Sequence, residues 1–300
     1  MVLLKQTQPL TAKIQSWVVD FEEDHGNGNS EGSVGNLEAE SVIVSVGEPR
    51  NVTARVSTAD LPELSFDSPT SKPGSLQIIC ALPAVNDAPS RELDLEAWVR
   101  GGASDWRPTP LRASVRTART LWLESRAVVY ASDELTRDAL DAMVRFTVAE
   151  REMTCLEQEM HSLWPSITED AKLTHAVTRR DVKRQEHINA MTVLAAGMKS
   201  SSLRIRLALE QLDPALTEPS KRLFAELALA ANLEDRLECL VEPIQFAVDH
   251  YELANTRLID RRTSSRENAN FIFELTAEVT IIVILLAELF VILYGIRLIS

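Results

Sequence analysis

Residues Val279 to Ile296 read VTIIVILLAELFVILYGI, and this stretch decides the fold class of the chain. Of its eighteen residues, only Glu288 is ionisable. At about 1.5 Å per residue, a helix from Phe271 to Ile296 covers the roughly 30 Å hydrocarbon layer of a bilayer with some tilt. A buried helix of a globular protein is the alternative, but such a helix usually shows a polar stripe and a cap. The pattern therefore predicts one transmembrane helix over residues 271–297.

Arginines on either side of this helix predict its orientation. Arg257, Arg261, Arg262 and Arg266 precede it, whereas Arg297 alone follows it. Because cationic residues stay on the cytoplasmic side, we expect the N-terminal bulk of the chain to face the cytoplasm or the mitochondrial matrix. The four preceding arginines are predicted to contact lipid headgroups. Only four residues follow the apolar run, which predicts a tail-anchored, single-pass protein.

Three glutamates lie in or beside the apolar run. At 100° per residue, Glu274, Glu278 and Glu288 fall within about 80° of one another on a helix. A carboxylate near the middle of a bilayer is costly, so we expect Glu288 to be protonated, paired across a helix interface, or in contact with water. We interpret Glu278 and Glu288 as residues that fix self-association through interhelical hydrogen bonds. The alternative is a path for ions or protons through an oligomer.

Composition limits the partners and the chemistry. The 300 residues carry a formal net charge of −13 with a pI near 5.0, which disfavours nucleic acid as a partner of the whole surface. Two basic clusters interrupt this acidity, and the second could contact phosphate if its face were exposed. They are Arg112, Arg116 and Arg119, and then Arg179, Arg180, Lys183 and Arg184. Both lack interleaved aromatic residues for base stacking, so we expect solvated or internally paired faces.

No constellation for catalysis can be named from the sequence. Five histidines share no ligand spacing, and three cysteines lie far apart without a CxxC pair. The phosphate-binding and nucleophile motifs GxGxxG, GxxxxGKS, GxSxG and HExxH are missing from the sequence. We therefore predict no catalytic, cofactor or metal site, and a protein that is not an enzyme.

The N-terminal part of the chain has the pattern of strands and turns. Short apolar or alternating runs occur at residues 40–57, 74–85, 93–102 and 121–132, which read ESVIVSVGEPRNVTARVS, GSLQIICALPAV, LDLEAWVRGG and LWLESRAVVYAS. Surface loops are predicted at residues 25–36 and 67–74, which are rich in turn residues. We predict a β-rich domain over residues 1–130.

Residues 131–270 have helical periodicity and predict a helical hairpin or coiled coil. The first helix begins at Ser132 and is expected to end at Trp164-Pro165. Its predicted buried face comprises Leu135, Leu140, Met143, Val144, Thr147 and Met153. A second helix is predicted over residues 178–210, before a turn bracketed by Pro214 and Pro219.

A third helical stretch carries apolar residues at alternating three- and four-residue steps from Leu223 to Leu258. This spacing is typical of a coiled-coil seam, and we predict that Leu237, Leu240 and Ile244 carry self-association. Pro243 removes an amide donor and crowds the carbonyl of Cys239, so a kink is expected there.

The C-terminal quarter of the chain, from LEDRLECLVEPIQ to the apolar run, resembles the required-for-meiotic-nuclear-division protein family. That family has a helical hairpin, a long helix with an Arg-Ser-Ser-Arg-like turn, and an apolar run containing a glutamate. The corresponding residues here are Ser264, Ser265, Arg266, Glu278, Ile281, Ile282, Ile284, Leu285 and Glu288. The resemblance implies an oligomeric inner-membrane protein without known catalytic residues, and eukaryotic relatives are associated with mitochondrial translation.

Together these patterns predict an α+β protein with a β-rich N-terminal domain, a helical domain and one transmembrane helix. The expected function is that of an oligomeric scaffold or adaptor, tethered to membrane lipid, whose N-terminal domain recruits a protein partner. The alternative is a membrane effector whose associated spans conduct ions or permeabilise the bilayer.

Overall fold

The computed structural model describes residues 14–23, 41–59, 74–81, 95–101, 109–178, 180–214 and 216–299. Within them the chain is α+β, with a mixed sheet, several helices and a long apolar C-terminal helix. This confirms the predicted fold class. The loop predicted over residues 25–36 and nearly all of the one predicted over 67–74 lie outside the described residues.

The sheet has seven described strands in the order β2-β3-β1-β4-β7-β6-β5. Their bounds are β1 Ile14–Glu23, β2 Ser41–Val46, β3 Val52–Ala59, β4 Leu76–Ala81, β5 Leu111–Val115, β6 Ala118–Leu123 and β7 Arg126–Tyr130. Strands β4 and β7 pair in parallel, and the other described neighbours are antiparallel. The β5–β6 hairpin turns through two residues, the first of which, Arg116, has a φ of 54°.

Strands β4 and β7 are buried on both faces, which explains why they read as continuous apolar runs. One face packs against Leu95, Trp98 and Val99 of a short helix, α1, over residues 95–100. The other face receives the first long helix, because Trp122 of β6 meets Phe146 edge to face at 5.0 Å and donates from Nε1 to Thr147 Oγ1 at 2.9 Å.

The remaining helices follow the sheet. They are α2 Asp133–Asp170, α3 Gln185–Glu210, α4 Glu218–Ala230 and α5 Leu233–Ile299, with short 3-10 helices at Ala171–Thr174 and Asp181–Arg184. The predicted buried face of α2 is largely correct, since five of its six residues are buried and Leu135 is half-buried. Helix α4 starts at an N-cap, Thr217, whose side chain accepts from the Ser220 amide, and Pro219 lies in its first turn.

Three sequence predictions were wrong. The run LDLEAWVRGG is helix α1 and not a strand, because its buried residues Leu95, Trp98 and Val99 follow helical spacing. Helix α2 continues through Pro165 to Asp170, since Leu163 and Ile167 are both buried and hold the helix on either side of the proline. The third stretch is two helices, because Ala231 and Asn232 separate α4 from α5.

Asn232 has a φ of 51°, a backbone conformation that asparagine tolerates better than most residues. Its carbonyl accepts from the Arg236 amide, so it begins α5 at the point where the three- and four-residue steps are irregular. Pro243 lies inside α5 and does not end it, and the kink predicted there stays a prediction.

Contacts group the chain into two compact units. Unit 1 comprises residues 1–160 with 198–242, and unit 2 comprises residues 161–197 with 243–300. Unit 1 contains the sheet. Unit 2 contains the C-terminal end of α2, the start of α3 and most of α5. The limits 1–130, 131–270 and 271–297 follow the changes in sequence pattern and stay a prediction as domain boundaries.

Candidate functional site

The most exposed apolar surface of unit 2 is the C-terminal half of α5. Eleven large apolar side chains between Phe271 and Leu286 are 51% to 75% exposed in the isolated chain. Within the described residues, α5 is the one helix long and apolar enough to cross a membrane by length and composition. Thr276 and Thr280 donate to the carbonyls of Ile272 and Thr276, both at 2.7 Å. These hydroxyls are therefore satisfied inside the helix, as a lipid environment requires.

The predicted glutamates lie on this same surface. Glu274, Glu278 and Glu288 are exposed along α5, with no salt bridge shown to any of them among the described residues. Seven residues make close to two helical turns, so Glu274, Ile281 and Glu288 lie on one line along the helix. Their predicted part in self-association stays a prediction.

The four arginines that precede the apolar segment have different surroundings. Arg257 donates from Nη1 to the His175 carbonyl at 2.9 Å, and Arg262 donates from Nη1 to Gln185 Oε1 at 3.1 Å. Both contacts are within unit 2. Arg261 and Arg266 are exposed. Contact with lipid headgroups stays a prediction for all four. The exposure of Arg261 and Arg266 favours these two for that contact.

The predicted seam is already part of the chain's own core. Leu237 and Ile244 are 3% and 2% exposed, and Leu240 is half-buried. These side chains are therefore occupied within one chain, and their part in self-association stays a prediction. Two other residues of α5, Phe246 and Leu253, are 52% and 45% exposed and stand seven residues apart.

The line through Phe246 and Leu253 continues along the helix. Steps of seven residues from Leu253 reach Asp260, Glu267 and Glu274, and then Ile281 and Glu288. In a supercoil with about 3.5 residues per turn, these positions form one exposed line that begins with two apolar residues and ends with the glutamate of the apolar segment. On a straight helix the line drifts by about 20° per step, or about 120° from Phe246 to Glu288. The sequence analysis did not identify this line, because the apolar residues at three- and four-residue steps lie on the buried side of the same helix.

Unit 2 also holds a buried polar cluster that sequence reasoning missed. Asp170, at the end of α2, is 1% exposed. Its Oδ1 accepts from Arg184 Nη2, and its Oδ2 lies 3.2 Å from His187 Nε2. Arg184 also reaches Glu169 Oε1 at 3.3 Å. The second predicted basic cluster is thus partly internal, and its Arg179 lies outside the described residues.

Helix α5 supplies the remaining polar groups of this cluster. His250 and Tyr251 are 8% and 0% exposed, and their rings meet edge to face at 5.1 Å. Three buried atoms, His250 Nε2, Tyr251 Oη and Asn255 Oδ1, have no hydrogen-bond partner among the described residues. Burial, together with the charge of Asp170, raises the pKa of Tyr251 to about 12. Burial lowers the pKa of His250, and Asp170 opposes that effect.

Unit 1 has a buried polar network of another kind. Arg236 of α5 donates to both carboxylate oxygens of Glu150 at 3.0 and 2.8 Å, and to Glu157 at 2.8 and 2.7 Å. Glu150 is 3% exposed. Burial alone would lower the pKa of Arg236, but the hydrogen bonds to Glu157 and the charge of Glu150 raise it above its usual value. The network therefore joins α5 to α2 inside unit 1.

Two of the clefts on the described part of unit 1 contain an arginine of a predicted basic cluster or a cysteine thiol. A cleft of about 280 Å³ contains Arg112 and Arg119 of the first predicted basic cluster. Arg112 is paired there with Glu96 at 2.7 Å, and Arg119 lies over the Tyr130 ring. A second cleft, of about 380 Å³, contains Arg151 and the Cys155 thiol.

Chemistry at these clefts is limited. Burial and the neighbouring carboxylates of Glu159 and Glu152 raise the pKa of Cys155, which disfavours the nucleophilic thiolate. Over the part of the chain that the structure describes, no group of three His, Cys, Asp or Glu residues is arranged to hold a metal ion. The absence of catalytic and cofactor sites stays a prediction.

Comparison with known proteins adds little. No family model matches the chain, and no curated protein matches it. Among solved structures, the full-length CmaX protein is similar at 12% identity and a TM-score of 0.34, over 80% of this chain and 84% of that one. A likeness at that level carries no argument about function. The resemblance to the meiotic-division family stays a prediction.

Proposed function

We propose that this chain is a membrane-tethered protein that self-associates along α5 and serves as a scaffold or adaptor. The observation that carries the proposal is the exposed apolar surface between Phe271 and Leu286. Apolar patches of this size are rare on the water-exposed surface of soluble monomers and mark a contact with lipid or protein. A helix of this length and composition satisfies its own backbone groups, so lipid is the environment that fits it.

Self-association is supported by the line of exposed residues that starts at Phe246 and Leu253. Seven-residue spacing places such residues against the same residues of a neighbouring helix. The line continues into the apolar segment at Ile281 and Glu288. A buried carboxyl group in lipid gains most from a partner on another helix, so contact along this line would also accommodate Glu288.

The native mass of the full-length protein in nanodiscs tests this proposal. Phe246→Glu and Leu253→Glu each place a charge on the exposed line, and we expect both to reduce the oligomer. Ile259→Glu is the matched control for the Phe246 and Leu253 positions, because Ile259 is 46% exposed on the same helix but about 140° from Phe246 and about 120° from Leu253 at 100° per residue. We expect Glu288→Leu to loosen the oligomer within the apolar segment.

Two outcomes would contradict the association. One is a wild-type protein that is monomeric in nanodiscs. The other is an oligomer that Ile259→Glu weakens as much as Phe246→Glu does. In either case the apolar segment would still tether the protein to the membrane, but helix α5 would not self-associate along this line.

A membrane effector is the second candidate, and the position of Glu288 favours it. If the line faces the axis of an oligomer, Glu274, Ile281 and Glu288 would face that axis together and could form a polar path. Conductance in planar bilayers separates the two functions. Ion current that falls with Glu288→Gln supports the effector, whereas an oligomer without current supports the scaffold.

Orientation is proposed from the arginines before the apolar segment. Because positive residues beside a span remain on the cytoplasmic side, we infer that the residues of the N-terminal bulk face the cytoplasm or the mitochondrial matrix. Protease added outside intact cells or organelles should then leave these residues uncut, and protease added to inverted vesicles should digest them. Digestion in intact membranes would reverse the orientation without affecting the association.

A further inference from the structure

We propose that His250 and the polar groups around it form a proton-sensitive centre, in which acidification charges a buried imidazole and loosens the packing of α5 in unit 2. This inference goes beyond the scaffold function and concerns the stability of unit 2. Phe246 belongs to both the association line and the surroundings of His250, so the tests below leave Phe246 unchanged. Its basis is a buried histidine that contacts two aromatic rings, in the same unit as a buried carboxylate, Asp170, that already has partners.

The surroundings of His250 suit a neutral ring. It is 8% exposed and lies between Phe246, at a centroid distance of 6.0 Å, and Tyr251, at 5.1 Å. Trp164 of α2 extends the aromatic group, with its ring 6.2 Å from that of Phe246. His250 Nε2 is buried without a hydrogen-bond partner in the described part of the chain. An imidazolium has two N–H donors that both need acceptors, so a proton here leaves at least one donor unsatisfied.

The nearby carboxylate does not offset that cost. Asp170 of α2 is buried, and its two oxygens already contact Arg184, in the 3-10 helix before α3, and His187, in the first turn of α3. Arg184 already pairs with Asp170, and its other carboxylate partner, Glu169, is exposed to water. Tyr251 contributes no charge, because its raised pKa keeps the phenol protonated. Among the described residues, Asp170 is thus the buried anion that acts on His250, and its oxygens already have other hydrogen-bond partners.

The direction of the pH effect follows from this geometry. Burial lowers the pKa of His250 in the folded chain below the value of about 6.5 that an unfolded histidine has. The unfolded chain therefore binds more protons at acidic pH. Stability that is present above about pH 6.5 is lost as the pH falls towards the folded pKa, by at most about tenfold in the unfolding constant for each pH unit.

The first test follows the five histidines of the full-length protein in nanodiscs by NMR, with 13C-labelled imidazole and pH from 8 to 5. Signals are assigned by replacing one histidine at a time. The same protein unfolded in urea gives the reference midpoint of an unfolded histidine, about 6.5. We expect His250 of the folded protein to titrate at a lower pH. A folded His250 midpoint equal to or above the unfolded reference would overturn the proposal.

A second test uses His187 to separate a proton site from simple packing. His187→Gln removes the imidazole beside Asp170 Oδ2 and keeps an amide that can donate, whereas His187→Ala frees that oxygen. We expect His187→Ala to raise the His250 midpoint and His187→Gln to raise it less. If neither variant moves the midpoint, Asp170 is not coupled to His250 and the proposed centre is wrong.

Unfolding of the full chain at pH 7.5 and pH 5.5 gives the consequence for stability. His250→Phe keeps an aromatic ring and cannot titrate, so we expect it to lose less stability on acidification than wild type. His161→Phe is the matched control and should lose as much as wild type. Equal losses in His250→Phe and wild type would contradict the proposal, and the NMR titration decides independently if His250→Phe does not fold.

Discussion

Each unit of the molecule buries a carboxylate against an arginine, but the two clusters differ in how fully their polar atoms are paired. In unit 1, both oxygens of Glu150 accept from Arg236, which also binds Glu157. In unit 2, Asp170 is paired, yet three buried polar atoms of α5 have no partner within the described ranges. The first arrangement rigidifies a fold. The second leaves groups whose protonation or pairing can change.

Arg236→Met is expected to have the largest effect, because it breaks the fully paired network. It takes Arg236 away from the buried Glu150 carboxylate, and the loss of one partner of a buried ion pair typically costs about 3–5 kcal/mol in the free energy of unfolding. Chemical denaturation of the full chain in detergent measures the loss, and hydrogen exchange should show it in unit 1.

Arg222→Ala is the matched control for that prediction. Arg222 forms an exposed pair with Glu218 at 2.7 Å, and such pairs contribute only about 0–1 kcal/mol. A loss at Arg236 no greater than at Arg222 would mean that the buried network of unit 1 contributes no more to the free energy of unfolding than an exposed ion pair does.

Asp170→Asn breaks the paired part of the unit 2 cluster and should cost less. The amide keeps the shape of the side chain but turns one acceptor oxygen into a donor that faces Arg184 or His187. We expect a loss of about 2 kcal/mol, since charged hydrogen bonds contribute about 1.5–3 kcal/mol and Arg184 can still reach Glu169. Denaturation curves for Asp170→Asn and for Glu169→Gln, an exposed neighbour, measure the difference. Equal curves would contradict it.

Local patterns predicted those parts of the fold in which periodicity and burial coincide. The apolar run of α5 and the buried face of α2, for example Met143 and Met153, follow directly from spacing. Spacing misled at LDLEAWVRGG, where four residues of alternation hid the helical set Leu95, Trp98 and Val99. It also misled at Pro165, because a proline's local cost was outweighed by burial on both sides.

The polar cluster of unit 2 could not be found in this way. Asp170 and His250 are 80 residues apart, and their meeting depends on how two helices pack. For Arg184, the sequence left a solvated face and an internally paired face open, because no partner could be named from its neighbours in the chain. One signal was available, because Tyr251 lies on the apolar side of α5 and Asn255 follows one turn later. Polar residues within a buried stripe need partners, and that need points to a cluster.

Tyr251→Phe is expected to have the smallest effect on the free energy of unfolding. Its hydroxyl is buried without a partner among the residues that the structure describes, so its removal takes away a desolvated group and no hydrogen bond. We expect the free energy of unfolding to change by less than about 0.5 kcal/mol or to rise slightly.

The matched control is a buried hydroxyl of unit 1 that does have partners. Thr147 Oγ1 accepts from Trp122 Nε1 at 2.9 Å and donates to the Met143 carbonyl at 2.8 Å. Thr147→Val keeps the shape and deletes both bonds, so we expect a loss of about 1–2 kcal/mol. Denaturation of both variants under the same conditions gives the two numbers. A loss at Tyr251→Phe as large as at Thr147→Val would mean that the phenol is hydrogen-bonded in solution, as the Thr147 hydroxyl is.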